Sequence, residues 1–181
     1  MMRITYFVHG TTTDNERDLA TGWAPGELSV LGIEQSKKLG PMVKDKEFSV
    51  VFCSDLKRAV DSANYAFAAN YEIIKDERLR EANYGDFTQV PVDTFKNNLV
   101  KYIDKPFPNG ESYKDVEKRI SDFLKETAQK YDGKHIAIVA HQASQLALDV
   151  LLKGKTWEQA IAGDWRHAKS WKPGWEYLVE N

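Results

Sequence analysis

Two rhythms of apolar and polar positions run along this chain, short β-rich runs and longer stretches with helical spacing. Arg3-Ile4-Thr5-Tyr6-Phe7-Val8 is the first β-rich run, and it stops at His9-Gly10-Thr11-Thr12-Thr13-Asp14-Asn15, a series of turn formers. A strand followed by a polar loop is predicted. Beyond the Gly/Pro-punctuated residues 21–26, Ser29 is placed as the N-cap of a helix carrying Leu31, Ile33 and Leu39 and interrupted near Gly40-Pro41. Residues 48–53 read as a buried strand. Ser54 or Asp55 then caps a helix running through about Asn70, with Ala59, Ala63, Ala66 and Phe67 at helical spacing, and residues 71–75 form a third short strand.

Residues 76–111 lack a period; Pro91, Pro106, Pro108 and Gly110 mark loops around one short helix near residues 94–102. Long loops of this kind often shape sites. From Ser112 an amphipathic helix runs to about Tyr131, capped by Ser112 and Asp115, with Val116, Ile120, Phe123, Leu124 and Thr127 on one face and lysines opposite. Arg119 is assigned to its solvated face. His135-Ile136-Ala137-Ile138-Val139-Ala140 has the unbroken apolar character of a central parallel strand, and His141-Gln142-Ala143-Ser144 leads from it into an apolar helix ending near Leu152. A short helix starts at Trp157, and a hairpin is expected to turn at Lys172-Pro173-Gly174. This alternation predicts an α/β fold, a three-layer α/β/α sandwich with a mostly parallel central sheet, formed by one domain over residues 1–181.

Charge and composition narrow the functions open to such a domain. Lys and Arg number 25 against 27 Asp and Glu, a net charge of −2 with no basic block, which argues against nucleic acid as a partner. No apolar run approaches the roughly 20 residues of a membrane helix, and the N-terminus turns polar too early for a secretory segment, so no membrane partner and a cytoplasmic location are expected. A lone Cys53 rules out an internal disulfide framework and a cysteine-built zinc site, and the four His show no metal-ligand spacing. Trp165, Trp171 and Trp175 are taken as exposed, either forming an interface, with a homodimer as one outcome, or covering a sheet edge.

In parallel sheets, ligands bind beyond the carboxyl ends of the strands. His9 follows the first strand, Arg58 the second and His141 the fourth, so the topology brings all three to one pocket. Two His and an Arg suit an anionic substrate, because the guanidinium fork pairs with phosphate and loop N–H groups reach the same oxygens. A His so placed can be nucleophile, base or donor. A single His after a strand is more often a structural hydrogen-bonder, and His135 and His167 are assigned structural or solvent-facing roles. Cys53 and Arg58 are separated by four residues rather than the five of a cysteine-phosphatase loop, so Cys53 is read as a buried structural thiol. Signatures of serine hydrolases, P-loop proteins and dinucleotide-binding dehydrogenases are missing.

The order of segments resembles the histidine phosphatase superfamily, also called the phosphoglycerate mutase-like family. His9-Gly10 with Asn15 is similar to its R-H-G-x-x-x-x-x-N signature, and Leu28-Ser29-x-x-Gly32-x-x-Gln35 to L-[TS]-x-x-G-x-x-Q. Ser54-Asp55-Leu56-x-Arg58-Ala59 with Ser62-Ala63, Arg78-Leu79-Arg80-Glu81 with Tyr84-Gly85, Pro108-x-Gly110-Glu111-Ser112, and the strand ending in His141 complete the series. The resemblance implies a phosphohistidine mechanism: His9 as nucleophile, Glu81 as general acid and then base, Arg58 and His141 on the phosphoryl oxygens, assisted by Asn15 and by loop groups at Gly10, Thr11 and Gln142, with no metal or organic cofactor.

Three positions depart from the family pattern. Val8 stands where the signature has Arg, a substitution expected to remove a charge-assisted phosphate contact and about 10²–10³ in rate. Thr11 replaces an acidic residue, and His141-Gln142-Ala143 replaces H-G-G. Arg80 or a lysine is a candidate for compensating charge. The expected function is a phosphomonoester phosphatase acting on a small phosphorylated metabolite. The alternatives are a phosphoglycerate mutase-type phosphoryl transfer and a catalytically weakened phosphoester-binding or regulatory protein. The 21–29 stretch is similar to one in the cofactor-dependent mutases, but residues 82–111 are too few for the insertion that encloses a bisphosphorylated intermediate there. Substrate selectivity is expected from residues 82–107, where Tyr84, Phe87, Phe95 and Tyr102 either line an apolar wall or pack in the core.

Overall fold

In the computed structural model, residues 1–164, 166 and 174–180 are described. Five strands make one sheet: β1 (Met2–Val8), β2 (Val50–Cys53), β3 (Ile73–Lys75), β4 (His135–Ala140) and β5 (Trp175–Val179), in the order β3-β2-β4-β1-β5. The first four are parallel, and β5 runs antiparallel to β1, pairing Met2 with Val179. Helices α1 (Thr13–Glu16), α2 (Val30–Met42), α3 (Lys57–Phe67), α4 (Tyr113–Lys130), α5 (Gln142–Lys153) and α6 (Trp157–Ala162) cover its two faces.

The period-two rule of strands divides the core. On β4, Ile136, Ile138 and Ala140 face one apolar cluster and Ala137 and Val139 the other; on β2, Val50 and Phe52 join the first, Val51 and Cys53 the second. Phe123, Leu124 and Leu146 of α4 and α5 fill the first cluster, and Leu39, Ala63 and Phe67 of α2 and α3 fill the second. The result is the three-layer α/β/α sandwich with a mostly parallel sheet that the sequence predicts.

Local chemistry sets the boundaries. Ser29 caps α2 by accepting from the Gly32 N–H, and Ser112 and Asp115 close a reciprocal capping box on α4. Several boundaries differ from expectation. The loop after β1 contains a four-residue helix, α1, because Thr12 and Asn15 cap one another. Helix α2 runs through Gly40-Pro41 and ends at Met42, so Pro41 lies inside its last turn and the helix stops one residue after it. Neither expected residue caps α3: Ser54 Oγ accepts from Leu56 N–H in the turn before it, and Asp55 pairs with Arg80. The short helix expected near 94–102 consists of two tighter 3₁₀ segments, Val92–Thr94 and Lys96–Tyr102, with a kink at Asn98.

At the C-terminus, Trp175 is buried, its ring 6.2 Å edge-on from Tyr6, so it is not the exposed residue expected; it covers the sheet beside β1. Trp165, Trp171, His167 and the hairpin turn at 172–173 lie outside the described residues. Among the described residues no helix is long and apolar enough to cross a membrane.

Candidate active site

Pairing of Val8 with Ala140 brings the carboxyl ends of β1 and β4 side by side, and the next residues are His9 and His141, whose rings stand 5.1 Å apart. His9 Nδ1 lies 2.7 Å from the Gly10 carbonyl, which fixes the proton on Nδ1 and leaves Nε2 with its lone pair. Arg58 Nε donates to that Nε2 at 3.3 Å. Burial and the Arg58 charge together push the His9 pKa down to about 3, so the ring is neutral at ordinary pH.

Arg58 reaches this point from the first turn of α3 and is 2% exposed. Its Nη1 and Nη2 donate to the Ala24 and Gly22 carbonyls at 3.1 and 2.7 Å, so residues 22–24 fold around a guanidinium held against His9. His141 is fully buried behind His9, and its ring nitrogens have no hydrogen-bond partner among the described residues. Burial and the charge of Arg58 hold its pKa well below the usual histidine range. Its backbone is fixed from both sides: the N–H donates to Tyr6 Oη at 2.8 Å and Tyr6 Oη donates to its carbonyl at 2.7 Å.

Glu81 is 7% exposed and sits over the N-terminus of α5. Oε2 accepts the Gln142 N–H at 3.1 Å, and Oε1 accepts the Ala143 and Ala82 N–H groups at 3.0 and 2.8 Å. A carboxylate at a helix N-terminus satisfies donors that otherwise have no partner. The segment carrying Glu81 is tied down from behind by Arg119, whose guanidinium donates to the Arg78, Arg80 and Glu81 carbonyls at 2.5, 2.7 and 3.0 Å and pairs with Glu111. Trp23 Nε1 donates to the Glu81 carbonyl at 2.7 Å as well. Arg119 is therefore not on a solvated face as expected; it is an interior strut. Its neighbours on α4 gave no sign of this, because its partners are backbone carbonyls about forty residues away.

His9, Arg58, Glu81, Thr11, Asn15 and Gln142 share one cavity of about 490 Å³, a size that suits a small-molecule ligand. Thr11 is held there by Gln35, whose Oε1 accepts both its N–H and its hydroxyl at 2.9 Å. Asn15 Oδ1 accepts the Thr12 N–H, which leaves the Nδ2 group for a ligand. Gly10 stands behind the cavity, its N–H donated to Ser62 Oγ at 2.9 Å and its carbonyl facing His9. A Cβ on Gly10 would come 2.3 Å from the Gly32 carbonyl oxygen, and one on Gly32 1.9 Å from that of Thr11, so both positions need glycine for this loop to lie on α2.

Beyond the polar end, Leu19, Val92, Phe95, Leu99 and Tyr84 form an apolar wall, with Lys96 beside it. Of the four aromatics considered for that wall, Tyr84 and Phe95 reach it; Phe87 and Tyr102 pack around Phe107 in the core. Arg80 does not line the cavity; it pairs with Asp55 at 2.5 Å and stacks over Trp23. His135 hydrogen-bonds Thr5 at 2.9 Å beneath the sheet and belongs to the structural set. Among the described residues no three His, Cys, Asp or Glu side chains gather to hold a metal ion.

Comparison with known proteins shows the family of this chain. Residues 6–169 match the model of the histidine phosphatase superfamily (branch 1). The phosphoglycerate mutase of Schizosaccharomyces pombe is 31% identical over 169 residues, covering 84% of this chain and 80% of that one. The alpha-ribazole phosphatase structure from Shigella flexneri superposes with a TM-score of 0.76 at 27% identity, covering 88% of this chain and 83% of the other. The mycobacterial glucosyl-3-phosphoglycerate phosphatase in complex with VO3 superposes with a TM-score of 0.77 at 25% identity, covering 88% and 86%.

Proposed function

Because this chain belongs to the histidine phosphatase superfamily (branch 1), we propose that it is a cytoplasmic phosphomonoester phosphatase that needs no metal and works through a phosphohistidine on His9. The observation that carries this reading is His9, its Nδ1 on the Gly10 carbonyl and its Nε2 facing Arg58, in the same cavity as the buried Glu81 carboxyl.

In the first step His9 Nε2 attacks phosphorus, the N–P bond forms and the P–O bond to the alcohol breaks. The leaving oxygen takes that electron pair and a proton from the Glu81 carboxyl, and the alcohol departs. In the second step water attacks phosphorus and gives its proton to the Glu81 carboxylate; the N–P electrons return to Nε2 and inorganic phosphate leaves. Arg58, on the cavity wall, acts on the phosphoryl oxygens, where a donor already in place stabilises developing charge without reorganisation, and His141, buried beside His9 and outside the cavity lining, is the second donor once the phosphoryl group is seated on His9. Asn15, Thr11 and Gln142 add donors at the cavity wall, and Gly10 acts through the His9 tautomer. The apolar wall from Leu19 to Leu99 supports a substrate whose alcohol carries apolar surface beyond the ester oxygen.

A second reading, phosphoryl transfer of the phosphoglycerate mutase type, is favoured by relatives of that name at about 30% identity. Phosphate release from a panel of phosphomonoesters, measured with chelator present, separates the two. Release by the wild type and none by His9→Ala is expected. Interconversion of 2- and 3-phosphoglycerate without release would establish the mutase instead, and phosphoester binding without turnover would establish a binding protein.

A further inference from the structure

Resting on the phosphatase reading, we infer that Arg166 is a second phosphoryl-binding cation of this site, delivered by the segment after α6 and supplying charge that Val8 lacks. Val8 directly precedes His9 and lines the cavity with an uncharged side chain. Arg58 reaches His9, yet its three nitrogens already donate to His9, Ala24 and Gly22. A phosphoryl dianion with three outer oxygens requires more donors than one guanidinium so engaged can direct at it.

Arg166 lines the same cavity. Asp164 holds it, Oδ1 accepting both the Arg166 N–H at 3.1 Å and Nη1 at 2.8 Å, and its guanidinium lies 6.0 Å from the Trp175 ring centroid. Asp164 is itself buried and its Oδ2 accepts from Gln142 Nε2, while the Gln142 N–H donates to Glu81. Gln142 thus touches both partners, its side chain on Asp164 and its main-chain N–H on the residue proposed to move the proton. The fork geometry of Arg suits two phosphoryl oxygens at once. Of the other cations, Arg80 pairs with Asp55, Arg119 holds backbone carbonyls, and Lys96 stands beside the apolar wall. The Arg166 charge is also among the influences that disfavour protonation of His9 and His141.

The test compares wild type, Arg166→Ala, Arg166→Lys and the Val8→Arg/Arg166→Ala double variant, reading the dissociation constant of inorganic phosphate by calorimetry, kcat/KM and the melting temperature. Arg166→Ala is expected to weaken phosphate binding and lower kcat/KM by about 10²-fold, with a melting temperature lowered because the buried Asp164 loses its ion-pair partner, and Val8→Arg is expected to recover the binding without recovering that stability. Arg166→Lys should keep part of the affinity. Unchanged phosphate affinity in Arg166→Ala overturns the inference. So does a loss of affinity with no recovery by Val8→Arg, which marks a packing role. If the wild type releases no phosphate from any ester, the phosphatase reading fails, and the binding comparison still decides the role of Arg166.

Discussion

His9 is kept neutral by burial and by Arg58, and that neutrality has a consequence for stability. An unfolded-chain histidine takes up a proton near pH 6.5, whereas His9 in the fold does so only near pH 3. Between those values the unfolded chain binds the additional proton, so stability falls as pH is lowered through the window. The penalty is at most about 1.4 kcal/mol per pH unit for each such histidine, and His141 and His135 shift in the same direction. A urea midpoint clearly lower at pH 5 than at pH 7 is therefore expected, with a shallower dependence in His9→Asn; a midpoint constant over that range would contradict the burial argument. Cys53 is the opposite case: burial pushes its thiol up to about 12, so it stays protonated and inert in the second core cluster. At this scale the sequence was informative where chemistry is attached to a strand end. His9, Arg58 and His141 converge because parallel strands place their carboxyl ends together. Arg119 and Trp23 were illegible because they act on main-chain carbonyls, which carry no sequence signature.

The elements act on the site through two fastenings. One is the contact of the loop after β1 with the first turn of α2, where Gly10 and Gly32 allow main chain to touch main chain. The other is the aperiodic stretch between β3 and α4, which holds Glu81 although it contains no α-helix. Arg119 gives that stretch its rigidity by joining three of its carbonyls to α4, and Glu111 completes the tie through the Asn83 N–H at 2.9 Å. Arg119→Met retains the apolar stem and removes these bonds. It should lower kcat by about 10–10² while KM changes little, because proton transfer depends on the placement of Glu81 more than substrate binding does. Equal effects on kcat and KM, or a protein that no longer folds, would assign Arg119 to the core alone. Gly85, with φ of 53° and a virtual Cβ 2.0 Å from the Pro108 carbonyl oxygen, explains why a glycine stands four residues after Glu81: the stretch turns back on itself there.

Across the whole molecule, β4 lies at the centre of the sheet, fully buried and paired on both sides, while β3 is a three-residue edge strand with half-exposed side chains. Hydrogen exchange should be slowest in β4 and β1 and fast in β3, since local opening follows contact and burial; comparable protection in β3 and β4 would contradict this topology. The mostly parallel sheet, the placing of helices on both its faces and the expectation that His9, Arg58 and His141 meet at the strand ends could be read from the sequence itself. Period-two and period-3.6 patterns dictate which faces are buried, and parallel crossovers have one favoured hand. What only the tertiary structure decided was every contact between residues distant in sequence that no pattern encodes. Arg119 reaches the carbonyls beneath Glu81, β5 pairs with β1, and Asp164 joins Arg166 to Gln142. Hydrophobic periodicity specifies a face to be buried, but the partner of a buried charge is chosen by which donors and acceptors the finished packing leaves unsatisfied.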